Sequence, residues 1–310
     1  MRRWALAGAV AALAALPASA SAQGPAISLS VKGAITSGHR QVALTHERFL
    51  ASGVVTPYVA GDRVIVTIYH RSHKAAERIT TLAPDGRYAV HMRLSRPGHY
   101  VVRAQHVQSA ALPRLDARGA KLSVVRPSVH PGSRGPLVRL LQQRLARLHY
   151  VVPRSGVYDI GTELAVLTWR KVARMARTTV ADEAVFRRLL AGRGQFHVRH
   201  PQDGHHVEAR LDLQVLALID HGKAQRLYHT SSGKSSTPTV RGRFKVYMKT
   251  PGVNSEGMVD SSYFFRGYAI HGYASVPDFP ASHGCLRVPI RYASSIYDWV
   301  RIGDVVWVES

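Results

Sequence analysis

The chain has a single cysteine, Cys285, among 310 residues. No intramolecular disulfide is therefore available, and the thiol is buried and inert, paired with another chain, or reactive. Acidic residues are also scarce. Only 19 Asp and Glu stand against 42 Lys and Arg, a formal charge of +23. The positive charge is mostly arginine scattered along the chain, with no dense basic run. Residue by residue this reads as solvated surface, and in sum as affinity for an anionic surface. Long apolar runs are missing too: the longest, Trp4 to Leu16, falls short of the roughly 20 residues that span a bilayer.

That short run has the setting of an export signal. Met1-Arg2-Arg3 is basic, Pro17 breaks the apolar stretch, and Ala18/Ala20 and Ala20/Ala22 offer small-residue cleavage sites. The expectation is a signal peptide over 1–22 cleaved near Ala22, with a retained anchor as the alternative. No lipobox cysteine is present, so lipoprotein anchoring is not expected. The mature chain is then secreted and extracytoplasmic, associated with the cell wall in the periplasmic space, and without a stable membrane span. In the cytoplasm such charge points to nucleic acid. Outside it the anionic partners are the wall, its acidic polymers and lipid head groups, so no nucleic-acid partner is expected.

Three regions follow, and the expected fold is multidomain and mostly β. Residues 24–127 alternate as short strands (Arg63–Tyr69, Tyr88–Met92, Tyr100–Ala104) between the turns Ala60-Gly61-Asp62, Pro84-Asp85-Gly86 and Arg96-Pro97-Gly98. This spacing resembles the Ig-like sandwich modules of bacterial surface proteins. A Pro/Gly-rich linker, Arg126 to Pro136, then gives way to helical periodicity over 128–194. Leu137, Leu140, Leu141, Leu145 and Leu148 form one stripe, Thr162 is placed to cap a second helix, and a third runs through Ala184–Leu190 to Gly192. From 197 to 310 the pattern returns to strands: His206–Leu211, Gln214–Ile219, Ala224–Thr230, Gly242–Tyr247, Tyr268–His271 and Val305–Val308. Asp220-His221-Gly222-Lys223 reads as a hairpin turn, and Pro289 opens a helix through Trp299.

The helical segment carries Leu140-Leu141-Gln142-Gln143-Arg144-Leu145, Leu148-His149-Tyr150, Gly156-Val157-Tyr158-Asp159 and Thr162-Glu163-Leu164-Ala165-Val166. It resembles the three-helix peptidoglycan-binding module, type 1. His149 stands where that family has glycine, and Trp169-Arg170 where Phe-Gln is usual. The resemblance implies a glycan partner; the bland alternative is a helical spacer, since nearly every matching residue is core or turn.

Cys285 lies in Ser282-His283-Gly284-Cys285-Leu286-Arg287-Val288, and a second His-Gly pair, His271-Gly272, precedes it. A thiol needs a base, a cation or a helix N-terminus to become a nucleophile. His271 ends a predicted strand, and a loop with Pro277, Asp278 and Pro280 returns the chain to the cysteine. Gly272 allows a backbone turn that aims its neighbour's carbonyl at the imidazole; Asp278, the nearby carboxylate, is disfavoured for that task. Backbone N–H groups of the His283-Gly284-Cys285 run suit an oxyanion hole, with Gly284 allowing close approach of substrate, and Arg287 suits a substrate carboxylate. Against this stand a buried structural cysteine, chance proximity among 17 histidines, and a zinc site from His271, His283 and Cys285.

These motifs, with Thr230-Ser231-Ser232-Gly233-Lys234 and Thr237-Pro238-Thr239-Val240-Arg241-Gly242-Arg243-Phe244, closely resemble the L,D-transpeptidases, the YkuD-like family. Val240 replaces that family's second proline, and the loop from His271 to Ser282 is compact. The resemblance implies a β-rich catalytic fold and a wall-synthesis acyltransferase that needs no metal or organic cofactor. Cys285 would be the nucleophile, His271 its base and later acid, and Gly272 the carbonyl that orients His271. Gly284 and Cys285 would form the oxyanion hole, with Ser282, His283 and Arg287 at the substrate. A peptidoglycan tetrapeptide stem would lose D-alanine, and a side-chain amine of a second stem would accept the acyl group in a 3→3 cross-link. Alternatives are an L,D-carboxypeptidase that gives the same acyl-enzyme to water, and a non-catalytic wall-binding protein.

Overall fold

The computed structural model describes residues 24–37 and 40–310, so the expected signal peptide lies outside the described residues. Strands predominate over helix among the described residues, which hold four α-helices. They fall into two compact units. Of the described residues, one holds 24–30 with Ala51–Val90 and Val101–Ala120; the other holds 31–37, 40–50, His91–Tyr100 and Lys121–Ser310.

In the first unit, Arg63–His70 and His73–Thr81 form an antiparallel hairpin whose register pairs Val64 with Thr80 and Val66 with Arg78. Val64, Val66 and Ile68 are fully buried, as period-two alternation requires of a strand with one covered face. The polar centre of this unit is His106. Its buried ring places Nε2 2.8 Å from Asp62 Oδ2 and Nδ1 3.0 Å from the Pro113 carbonyl. Ser109 donates to the same Asp62 oxygen, so the buried carboxylate is satisfied.

The second unit begins with a parallel pairing of Leu122–Val125 on Gln41–Leu44. Helices α1 (Pro136–Arg147), α2 (Ile160–Val172) and α3 (Glu183–Leu190) follow. Helix α2 is capped by Asp159, whose side chain accepts from Thr162 N–H at 2.9 Å. Thr162 was expected to be the cap. It sits one turn inside, because the helix starts two residues earlier and the carboxylate is the stronger acceptor for the open N–H groups. Buried Gln142 ties α1 to the next turn: its amide donates to Val157 O and Thr162 Oγ1, and its oxygen accepts from Gly156 N–H at 2.8 Å. His149 adopts φ 67°, a left-handed conformation that glycine reaches without steric cost, which accounts for glycine in the related motif. Arg170 is an interior tie, donating to Asp182 at 2.7 Å and to the Val180 and Ala176 carbonyls.

The remaining strands form two sheets. One is ordered Lys223–His229, Val215–Asp220, His206–Arg210, Val305–Glu309, Gly242–Lys245; the other Met248–Val253, Val259–Phe265, Tyr268–Tyr273, Leu286–Pro289. Val215–Ile219 is apolar at every position because both faces are covered. Ala217 and Ile219 pack into the core built by α1–α3, whereas Leu216 and Leu218 join Val207, Phe264, Ile270, Leu286 and Ile296 in the core of the C-terminal part. Alternation along one strand thus packs the helices on one face of its sheet and, on the other face, the core that includes Ile270 and Leu286 of the site-bearing sheet. The predicted hairpin turn is present, with His221 and Gly222 both at positive φ. Helix α4 (Ile290–Trp299) follows Pro289 and packs on the second sheet.

Candidate active site

His271 lies on Tyr268–Tyr273, and this strand pairs in parallel with Leu286–Pro289 so that His271 is opposite Arg287. The chain between them loops out and returns through Ser282–Cys285. The Thr-Ser-Ser-Gly-Lys run holds that return. Ser231 exchanges two 3.0 Å backbone hydrogen bonds with Arg287, Ser232 O accepts from Ala281 and Ser282 N–H, and Lys234 N–H donates to Ser282 O. Gly233 lies so close to Thr237 O that a Cβ would stand 2.2 Å from it. The segment therefore acts as a cradle for the cysteine loop.

A cavity of about 340 Å³ opens at this point, lined by Cys285, His271, Ser282, His283 and Arg287 together with Tyr273, Met258 and Glu256. All the side chains singled out in the sequence as nucleophile, base and substrate contacts reach it. Glu256, Met258 and Tyr273 were not foreseen from the sequence. They arrive through the turn before Val259–Phe265 and the end of the His271 strand, where no motif marks them.

His271 is buried, and its Nδ1–H donates to the Gly272 carbonyl at 2.9 Å, leaving Nε2 as the acceptor. Asp278 is not among its hydrogen-bond partners. Burial pulls the His271 pKa down to about 4, helped by the Arg287 charge and opposed by the Gly272 carbonyl. Gly272 is within a strand and not at a turn, contrary to the expectation. A Cβ there would meet Ala293 Cβ at 2.6 Å, so it is the approach of α4 that requires glycine.

Cys285 is half-buried. Its Sγ accepts from Ala269 N–H at 3.4 Å and donates to Gly267 O at 3.6 Å; among the described residues no hydrogen bond joins it to His271. Burial pushes the thiol up, against weaker opposing effects of the Ala269 N–H and the Arg287 charge. The resting pair is accordingly a neutral thiol beside a neutral imidazole.

One expectation for the cysteine loop needs correction. Gly284 N–H does not stand free for an oxyanion: it donates to Ser282 Oγ at 3.0 Å, and that hydroxyl donates to Cys285 O at 2.6 Å. Ser282 is thus spent in shaping the loop, and of the two amides only that of Cys285 has no partner among the described residues. Gly284 is needed for another reason. It has φ 120°, and a Cβ would stand 2.2 Å from the Tyr268 ring. His283 is exposed, with Nε2 3.4 Å from Lys234 Nζ. The Arg287 guanidinium stacks over Tyr273 at 4.0 Å. Among the described residues no group of three His, Cys, Asp or Glu is placed to hold a metal ion.

A thiol, an oriented imidazole and a guanidinium thus line one cavity of a two-sheet domain. The L,D-transpeptidase catalytic domain family matches residues 204–308, and a peptidoglycan binding domain family matches 134–189. The crystal structure of an L,D-transpeptidase from Xylanimonas cellulosilytica is 34% identical over 59% of this chain and 98% of that one, with TM-score 0.56. The C442S L,D-transpeptidase of Enterococcus faecium is 23% identical over 34% of this chain and 49% of that one, with TM-score 0.31. The L,D-transpeptidase 1 of Mycobacterium tuberculosis is 24% identical over 35% of this chain and 63% of that one, with TM-score 0.29. No curated protein matches the chain. The chain belongs to the L,D-transpeptidase family.

Proposed function

We propose that this transpeptidase is exported and cross-links peptidoglycan stems through a thioester on Cys285. The observation that carries the reading is the cavity shared by Cys285, His271 and Arg287, with His271 fixed by Gly272 so that Nε2 is the available base. The thiol gives its proton to Nε2 as sulfur attacks the carbonyl between the third stem residue and D-alanine. The C–N bond breaks and the imidazolium returns the proton to the departing amine of D-alanine. A side-chain amine of a second stem then attacks the thioester, its proton passes to Nε2, and the sulfur leaves and recovers that proton as the thiol. The Cys285 N–H is the amide we assign to the developing oxyanion.

Arg287 is suited to a stem carboxylate and Glu256, the one carboxylate lining the cavity, to the ammonium of the acceptor. The +23 charge and the peptidoglycan-binding family match support residence at the anionic wall. Among the described residues no helix is long and apolar enough to cross a membrane. A carbapenem tests the thiol: a covalent mass adduct on the wild type that is missing from Cys285→Ala is expected. An unmodified wild-type protein contradicts the assignment.

A further inference from the structure

Lys171, near the end of α2, is only 3% exposed although it carries an amine. Its Nζ donates to His229 Nδ1 at 2.6 Å and to the Gln214 carbonyl at 3.1 Å. A lysine amine facing Nδ1 fixes the His229 tautomer with its proton on Nε2. That Nε2–H donates to the Val276 carbonyl at 2.8 Å. Val276 belongs to the loop that leaves the His271 strand and returns as Ser282–Cys285.

The second arm from Nζ reaches the other end of the same loop. The Gln214 amide donates to Ser232 Oγ and its oxygen accepts from Ser232 N–H, both at 2.8 Å. Ser232 O in turn accepts from Ala281 N–H and Ser282 N–H. Arg177, just beyond α2, adds a third hold by donating to the Asp278 carbonyl and to Asp212 O. The helices thus grip the loop beside the base-bearing strand, at its middle and beside the nucleophile.

We propose that Lys171 is a positioning residue for the reaction: the helical segment that matches the peptidoglycan-binding family also sets the geometry of the active-site loop, through the Lys171–His229–Val276 and Lys171–Gln214–Ser232–Ser282 hydrogen bonds. Burial supports the tautomer: it holds His229 at about 3, so the ring stays neutral near neutral pH. Burial also lowers Lys171 to about 7, and both its charged and neutral forms donate. An anchoring domain that served only as a tether would need no buried amine wired to the loop. The Lys171–His229 pair joins parts of the chain that the family matches treat as separate domains.

The inference goes beyond the acyl-transfer reading but uses its reaction as a readout. The test compares full-length wild type with Lys171→Met, which keeps the length and removes the donors, and with His229→Gln and His229→Leu. Glutamine accepts and donates at one end as the imidazole does, and leucine does neither. Expected for Lys171→Met and His229→Leu is a loss of about tenfold or more in kcat for tetrapeptide turnover with little change in KM. Amide hydrogen exchange over 274–282 should be faster in both, and His229→Gln should recover most of kcat. A folded Lys171→Met with wild-type kcat and wild-type exchange overturns the proposal. If Lys171→Met does not fold, equal damage by glutamine and leucine at 229 overturns it. Absence of carbapenem acylation in the wild type counts against the functional reading alone, and the exchange data then decide the positioning role.

Discussion

His271 and Arg287 face each other on adjacent parallel strands, and the guanidinium is held over Tyr273 at 4.0 Å. Burial is what chiefly keeps His271 unprotonated; the Arg287 charge adds to that effect and, at Cys285, partly offsets the burial that raises the thiol.

The pH profile follows from the depressed His271 pKa. An imidazole with a pKa of about 4 is a competent base throughout the mildly acidic range, so the acid limb of kcat/KM should fall near 4 and not near 6.5. The same shift destabilises the fold in acid. The unfolded chain takes up the proton near 6.5 and the folded one near 4, so stability falls as pH drops between these values, by on the order of 3 kcal/mol for this group. Steady-state kinetics and urea melts across that range check both statements.

Thiol titration should show a resting enzyme without a preformed ion pair. Iodoacetamide alkylation of Cys285 should rise only above the ordinary thiol range, because burial outweighs the cation. Removing that cation in Arg287→Gln should move the alkylation midpoint higher still and reduce acylation by a carbapenem about tenfold or more. A midpoint below neutrality would contradict the neutral-pair description.

Gly284→Ala should be more damaging than a methyl group suggests. The φ of 120° disfavours any side chain, and the added carbon would press on the Tyr268 ring. A loss on the order of 1–3 kcal/mol in stability is expected, with activity falling further because the neighbouring Cys285 moves. Thermal melts and turnover on the same preparation separate the two effects.

Glu256 bears on the choice of acceptor. It is the carboxylate available to an incoming ammonium, so Glu256→Gln should raise the ratio of tripeptide to cross-linked dimer several-fold. An unchanged ratio would remove Glu256 from acceptor recognition.

Much of this site could be read in the chain, because its signals are local. Ser282–Val288 and His271-Gly272 hold side chains that the fold brings to one cavity, and the apolar run Val215–Ile219 marks a strand buried on both sides. The strands Met248–Val253 and Val259–Phe265 could not be read that way. Pro251-Gly252 and Asp260-Ser261-Ser262 interrupt their alternation, and the pairing itself is irregular at those places. Glu256 and Met258 were missed with them. The expectation that Gly284 donates to an oxyanion overlooked Ser282 Oγ, whose orientation only the folded loop determines. Lys171 and His229 are far apart in sequence and look like surface charge and a stray histidine; only packing of α2 on the Lys223–His229 strand brings them together.

The central claim is transfer of a stem acyl group from Cys285 to an amine. Purified full-length protein and Cys285→Ala incubated with disaccharide-tetrapeptides, followed by mass spectrometry, tests it most directly. The account predicts a dimer lighter by one D-alanine, formed only by the wild type. Tripeptide without dimer, or identical products from both proteins, would contradict it.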